Sequence, residues 1–326
     1  MYFLLNIGLN NIRIIFFVIL IAAANFAFAE AKQVCPPDAE KPTPEMAQAA
    51  MREARDHGFL WRISKDGHSS FLYGTIHVGK FAWMYPGPKV TQALRAADTV
   101  AFELDMLDPD MQSRIAQGVA QLRNTVLPEA LEQRMRQQAH AVCLPYDSLA
   151  KRPPEFQVEA LTLMVGHWDG LYAAYGIDMV FAGMAHRANK TVISLETPEM
   201  QLQLLQMQDA RETIAFVDDS LDELETGRAH VFLSRIARIW ESADYAEMSR
   251  FNQWCECLNT KIERDMMKRM LDDRNANLAD RIDVLHASGK QLFVAIGSLH
   301  MFGSAGLPAL MELRGYRVEQ VDFNPQ

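Results

Sequence analysis

The stretch Ser69–Lys80 reads SSFLYGTIHVGK, and far along the chain Gln291–Gly303 reads QLFVAIGSLHMFG. Each is an apolar run followed by a glycine, two residues and a histidine: Gly74-x-x-His77 and Gly297-x-x-His300. Short apolar runs rich in β-branched and aromatic residues read as buried strands. A glycine at the end of such a strand lets the backbone turn sharply or lets a ligand approach it closely. Two distant strands ending in the same way predict that the two histidines meet at one site. Working outward, FLWRIS (59–64) folds back on SSFLYGTIH (69–77) through KDGH, whose Asp66-Gly67 is a hairpin turn signal. TVAFELD (99–105) and TVISLE (191–196) are strand-like and deliver the carboxylates Glu103 and Glu196, and YRVEQVDF (316–323) closes the chain. Helical patterns fill 88–97, 109–122, 128–140, 154–167, 176–188, 198–217, 228–240, 244–254 and 261–288. Thr197-Pro198-Glu199 is a helix start, a cap residue followed by proline in the first turn. This order predicts an α/β fold over 59–326, with a central mixed sheet from the N- and C-terminal strands and a large helical insertion.

The 326 residues are 49% hydrophobic and 22% charged, an ordinary globular composition. The net charge of −9 comes from dispersed acidic residues, and no basic patch or stripe is present. Nucleic-acid partners and anionic membrane surfaces are thereby disfavoured. Residues 1–29 read as a signal peptide: Arg13 is the only charged side chain, Ile14 to Ala24 is apolar, and Ala27 and Ala29 have the A-x-A spacing that precedes cleavage. The apolar core is short against the roughly 20 residues of a membrane span. The expected product has no stable membrane span and resides in the periplasm or is secreted. Residues 30–58 then form an N-terminal extension, Pro-rich at first and helical after. In an oxidising compartment Cys35, Cys143, Cys255 and Cys257 are disulfide candidates. Cys255 and Cys257, in WCEC, are expected to be too close to bridge each other, so one of them, or Cys143, should tie down Cys35. A thiolate zinc site would call for a second pair beside this single C-x-C.

His77, Glu103, Glu196 and His300 all stand at strand ends. Open α/β sheets form their sites in the crevice beyond the carboxyl ends of the strands. Two imidazoles and two carboxylates there suit a divalent metal or general acid/base chemistry. Singly, a histidine after a strand is more often structural, and a carboxylate there commonly caps a turn; the repetition carries the argument. The other histidines read as ordinary: His57, His68, His140, His230 and His286 on loops or polar helix faces, His167 and His186 as packing residues. The 18 methionines read as core filler. The acidic run Asp218–Gly227 reads as a solvated helix end. HExxH, GxSxG, P-loop and post-strand GxGxxG motifs are absent.

These blocks, in this order, resemble the TraB/GumN family, which also holds the pheromone-shutdown proteins and the animal Tiki Wnt-inactivating proteases. The resemblance runs from about Phe59 to Val321. It includes FLWRIS…SSFLYGTIHVGK, ADTVAFELD, the central YGIDMVFAGMAHRANKTVISLETPEMQLQLL with its Gly-Ile-Asp start, and the closing block from DRNANLADRIDVLHASGK through the second G-x-x-H, with its Arg-Asn pair. The GSLH of this chain departs from the Gly or Ala that often precedes the second histidine. The resemblance implies a metal-dependent, hydrolase-like fold related to erythromycin esterases and a haem-binding lipoprotein family, and a functional set of His77, Glu103, Glu196, Arg274 and His300. The expected activity is hydrolysis of an amide bond in a peptide or protein. His77, His300 and Glu103 would bind Mn²⁺, Co²⁺ or Zn²⁺, Glu196 would act as base and Arg274 would stabilise the oxyanion, with the two glutamate roles interchangeable. The alternatives are a non-catalytic haem-, metal- or peptide-binding protein, and a metal-free esterase using a His/Glu pair.

Overall fold

Strands that are apolar at almost every position must lie inside a sheet covered on both faces. The structure, a computed structural model, describes residues 34–323, so the expected signal peptide lies outside the described residues. Phe59–Lys65 (β1), His68–Thr75 (β2), Thr99–Phe102 (β3), Thr191–Ser194 (β4), Leu292–Gly297 (β5) and Arg317–Gln320 (β6) form one six-stranded mixed sheet in the order β4-β3-β5-β2-β1-β6. β4, β3, β5 and β2 run parallel; β1 and β6 are antiparallel to their neighbours. β1 and β2 join through Asp66 (φ 52°) and Gly67 (φ 84°), the two left-handed residues of a tight hairpin. The insertion of C-terminal β5 between β2 and β3 brings the two G-x-x-H segments side by side, with Thr75 opposite Gly297. β3 aligns with both β5 and β4, Phe102 facing Ala295 and Ser194, so the four carboxyl ends share one edge of the sheet.

β2 to β6 stop short of the expected ends, whereas β1 runs one residue past its own. Past the end of β5, Ser298–Met301 coils into a 3₁₀ turn that carries His300. The helical stretch expected over 261–288 is interrupted: helices Lys261–Met267 and Asp273–Ala287 are joined by a π-helical turn, Lys268–Asp272. The stretch 198–217 divides into Pro198–Leu205 and Ala210–Glu225, the second starting where the Asp209 carboxylate accepts from the amides of Arg211 and Glu212. The short helix Leu307–Leu313, between Gly306 and Gly315, was not anticipated.

Two cores result. One surrounds the sheet and buries Phe59, Tyr73, Phe102, Phe181, Trp240 and Phe293. The other lies within the helical insertion, where Leu131, Met135, Leu161, Val217 and Leu221 pack together. The acidic run belongs to a helix end, as expected, but Asp218, Asp222 and Glu225 also converge on Arg134. Cys35 is bridged to Cys143, tying the N-terminal extension to the insertion. The expectation that Cys255 and Cys257 are too close to pair is overturned: they are bridged to each other. Glu256 between them is left-handed (φ 54°), which sets their Cα atoms 5.1 Å apart, inside the usual range of about 4.4–6.8 Å for a disulfide. His286, read as a polar-face residue, is fully buried, stacked on His68 at 3.7 Å and bonded to Ser70 Oγ. Among the described residues no helix is long and apolar enough to cross a membrane.

Candidate active site

Beyond the ends of β3 and β4 the ladder runs on, with Leu195 N donating to Phe102 O and Glu196 N to Glu103 O, so the two glutamates stand side by side. Arg274, on helix Asp273–Ala287, reaches both. Its Nε donates to Glu196 Oε1 at 2.8 Å and its Nη2 to Glu103 Oε2 at 2.5 Å and to Glu196 Oε2. Gln201 Nε2 adds bonds to Glu103 Oε2 (3.1 Å) and Glu196 Oε2 (2.9 Å). Glu196 is thus buried with both oxygens engaged, as a buried carboxylate must be. Glu103 keeps Oε1 on the open side, where it accepts from Gly297 N at 2.9 Å and lies 4.0 Å from His300 Nε2.

The glycines of the two motifs act through space. Gly297 has an ordinary φ of −48°, but a Cβ there would lie 3.3 Å from Glu103 Oε1. A Cβ on Gly74 would lie 2.9 Å from Ser298 Oγ, at the point where the second motif packs on the first.

His300 is buried, and its Nδ1 lies 2.5 Å from Asn275 Oδ1. Asn275 uses its NH₂ group on Ala305 O at 2.8 Å, so its oxygen is the acceptor and His300 Nδ1 carries the proton. The lone pair is left on Nε2, toward Glu103. His77 is at the rim, its side chain 68% exposed and its Nδ1 3.4 Å from Asp178 Oδ1. Gly176 abuts the His77 carbonyl, and Ile177 N donates to Ile76 O at 2.9 Å, so the start of helix Ile177–Arg187 clamps the loop.

The charge states follow from these neighbours. Asp178 beside His77 raises that imidazole to about 9. Burial lowers His300 to about 4, keeping it neutral at pH 7. Burial alone would raise the Glu103 carboxyl, but His300, which is protonated in acid, with the Arg274 and His77 charges and the Gly297 amide, holds it at about 2. All five residues expected from the sequence therefore stand at one edge of the sheet: Glu103, Glu196 and Arg274 in direct contact, His300 facing Glu103, His77 on the rim. Asp178, Gln201 and Asn275 were not singled out; the Gly-Ile-Asp and Arg-Asn pairs had marked two of them without assigning a role.

Among the described residues no group of three or more His, Cys, Asp or Glu side chains is drawn together at ligand distances. The donor chemistry nevertheless fits a divalent ion. His300 Nε2 and Glu103 Oε1 face each other across 4.0 Å, a gap that two bonds of about 2.0–2.2 Å can span. With Nδ1 turned to Asp178, Nε2 is the nitrogen His77 can offer a ligand once an ion displaces the proton that Asp178 favours, an arrangement common among metal-bound histidines.

The chain is similar to known proteins. A protein of Escherichia coli (strain K12) named "Uncharacterized protein YbaP" is 27% identical over 265 residues, covering 79% of this chain and 94% of its own. "Metalloprotease TIKI1" of Danio rerio is 24% identical over 312 residues, 81% of this chain and 63% of its own. No solved structure matches. The model of the TraB/PrgY/gumN family matches residues 59–320, from β1 to the end of β6 and across every site residue, and the chain belongs to that family.

Proposed function

We propose that the protein is an exported hydrolase that cleaves an amide bond in a peptide or protein with the help of a divalent ion, Mn²⁺, Co²⁺ or Zn²⁺. The observation that carries this reading is the convergence of His77, Glu103, Glu196, Arg274 and His300 at the carboxyl edge of four parallel strands. The similarity to a protein named as a metalloprotease supports it, and the two disulfides support an oxidising compartment.

His300, Glu103 and His77 would hold the ion. Bound there, it supplies a Lewis acid and acidifies water toward neutrality. Asn275 keeps the His300 lone pair on Nε2. The Glu103 carboxylate is ionised at neutral pH and keeps Oε1 on the open side, so of the two glutamates it is the one with an oxygen free for the ion. Glu196, with both oxygens occupied, positions Arg274. Of the five guanidinium protons, Arg274 spends one on Glu196 Oε1, one on Met270 O and the Nη2 pair on the two carboxylates. One Nη1 proton is left for the oxygen of a carbonyl under attack, the position where a fixed donor contributes most.

Elemental mass spectrometry on tag-free exported protein, alongside the His77→Ala, His300→Ala double variant, tests the metal. Near-stoichiometric metal is expected in the wild type and none in the variant. Cleavage of a peptide library, stopped by chelation and restored by Mn²⁺, Co²⁺ or Zn²⁺, is the expected activity. Cleavage that resists chelation overturns the metal role in favour of a His/Glu-pair esterase. Metal or haem bound without turnover of any peptide makes the protein a binder.

A further inference from the structure

Beside the His/Glu cluster lies a cavity of 290 Å³. One wall is the site itself, from Thr75 to His77 and from Gly297 to His300, with Glu103 and Arg274. The rest of the lining is Met266, Met267, Met270, Leu271, Ile236, Trp240 and Met248. Trp240 and Met248 are fully packed, whereas Met266, Met267, Met270 and Leu271 remain half-buried. Met248 and Met267 also belong to the core around the sheet, so these methionines fill the core and line a cavity at once.

The backbone is shaped to put them there. Met266, Met270 and Arg274 are spaced by four residues, and each such step overshoots one α-helical turn by about 40°. The π-helical turn Lys268–Asp272 falls between them, and its wider turn takes up the overshoot, so the two methionines and the arginine share one face. Single π turns inside helices recur at functional sites. Arg274 also donates from Nη1 to Met270 O at 2.8 Å, coupling the guanidinium to the turn that carries the methionines.

Resting on the hydrolase reading, we propose that this cavity is the specificity subsite and takes one large apolar side chain of the residue next to the bond that is cleaved. At 290 Å³ it lies just under the range of about 300–1,000 Å³ typical of drug-sized ligands, which suits one side chain and not a long segment. A charged side chain would lose its hydration against the thioethers and the Trp240 indole. Flexible, polarizable methionines pack equally against leucine, methionine or phenylalanine. The cavity therefore selects for apolar bulk without selecting one residue.

The experiment uses the full exported chain and a library of internally quenched peptides randomised at each position, with the Met267→Glu, Met270→Glu double variant beside the wild type. Binding of the neutral apolar fluorophore Nile red is measured in parallel. The altered side chains are half-buried, and thermal unfolding verifies that the variant is folded. The wild type is expected to prefer Leu, Met or Phe over Ala or Asp at one position flanking the cleaved bond, by about 10-fold or more in kcat/KM. The variant should lose that preference and accept Lys or Arg there, and should bind the fluorophore at least 10-fold more weakly. Cleavage indifferent to the side chain at every position, or a preference unchanged in the variant, overturns the subsite while the hydrolase reading stands. If no peptide is cleaved but the fluorophore binds the wild type and not the variant, the hydrolase reading falls and the apolar subsite survives as a ligand site. Neither cleavage nor fluorophore binding overturns both.

Discussion

Arg274 pairs with two carboxylates at once, and its removal leaves them facing each other. Its side chain is 7% exposed, that of Glu196 3% and that of Glu103 15%, so water replaces little of the lost pairing. Arg274→Met is expected to destabilise the protein by about 3–5 kcal/mol, the usual cost of orphaning a buried charge, measured by urea unfolding. Arg274→Lys keeps the charge but not the planar fork that serves both glutamates, and should fall between. The sequence placed Glu103 and Glu196 at strand ends but could not divide their tasks. That division depends on which oxygen Arg274 takes, and Arg274 lies 171 residues from Glu103 and 78 from Glu196. Asp178 and Asn275 went without a role for the same reason: each acts by orienting a histidine that the chain brings to it only on folding.

At the scale of elements, the repeated G-x-x-H is explained by packing. Gly297 needs no unusual backbone angle, so Gly297→Ala should melt close to the wild type. Its new methyl group would press on Glu103 Oε1, displacing that carboxylate by a few tenths of an ångström. Turnover should therefore fall while thermal stability holds, as steady-state kinetics and a melting curve on one sample can establish. The Cys35–Cys143 bridge closes a span of 108 residues, and in the chain-entropy view such long loops gain most. Cys35→Ser with Cys143→Ser is expected to cost about 2–4 kcal/mol in denaturant unfolding. The hairpin at Asp66-Gly67, the caps at Thr197 and the apolar strands were legible because each is set by neighbours in the chain. The π turn was not, because Lys261–Ala287 carries a helical pattern throughout and only the demands of the site and cavity favour a widened turn.

For the whole molecule, His286 joins the closing helix to the hairpin, bonded to Ser70 Oγ and Lys65 O beneath His68. Burial lowers its pKa below the ordinary 6.5. Above pH 6.5 both folded and unfolded chains hold it neutral, and its contribution is intact. Below 6.5 the unfolded chain takes up a proton that the folded one resists, so stability is lost as the pH falls toward the lowered value. His286→Gln should be less stable at pH 7 by about 1–3 kcal/mol, because it gives up buried hydrogen bonds. Its stability should also decline less between pH 7 and pH 5 than that of the wild type. Urea unfolding at the two pH values measures both, and equal declines would remove His286 from the acid response.

By itself the sequence determined the strands, most helices, the α/β order with C-terminal strands returning to the N-terminal sheet, and the two histidines and two carboxylates at the strand ends. All of these rest on hydrophobic period and turn chemistry, which act within a few residues. Only the tertiary structure decided that β5 lies between β2 and β3, which cysteines pair, which glutamate Arg274 saturates, and that methionines line a cavity beside the site. Those outcomes are contacts between segments far apart in the chain, selected by the joint burial of apolar surface and the pairing of buried charge, and no local pattern carries that information.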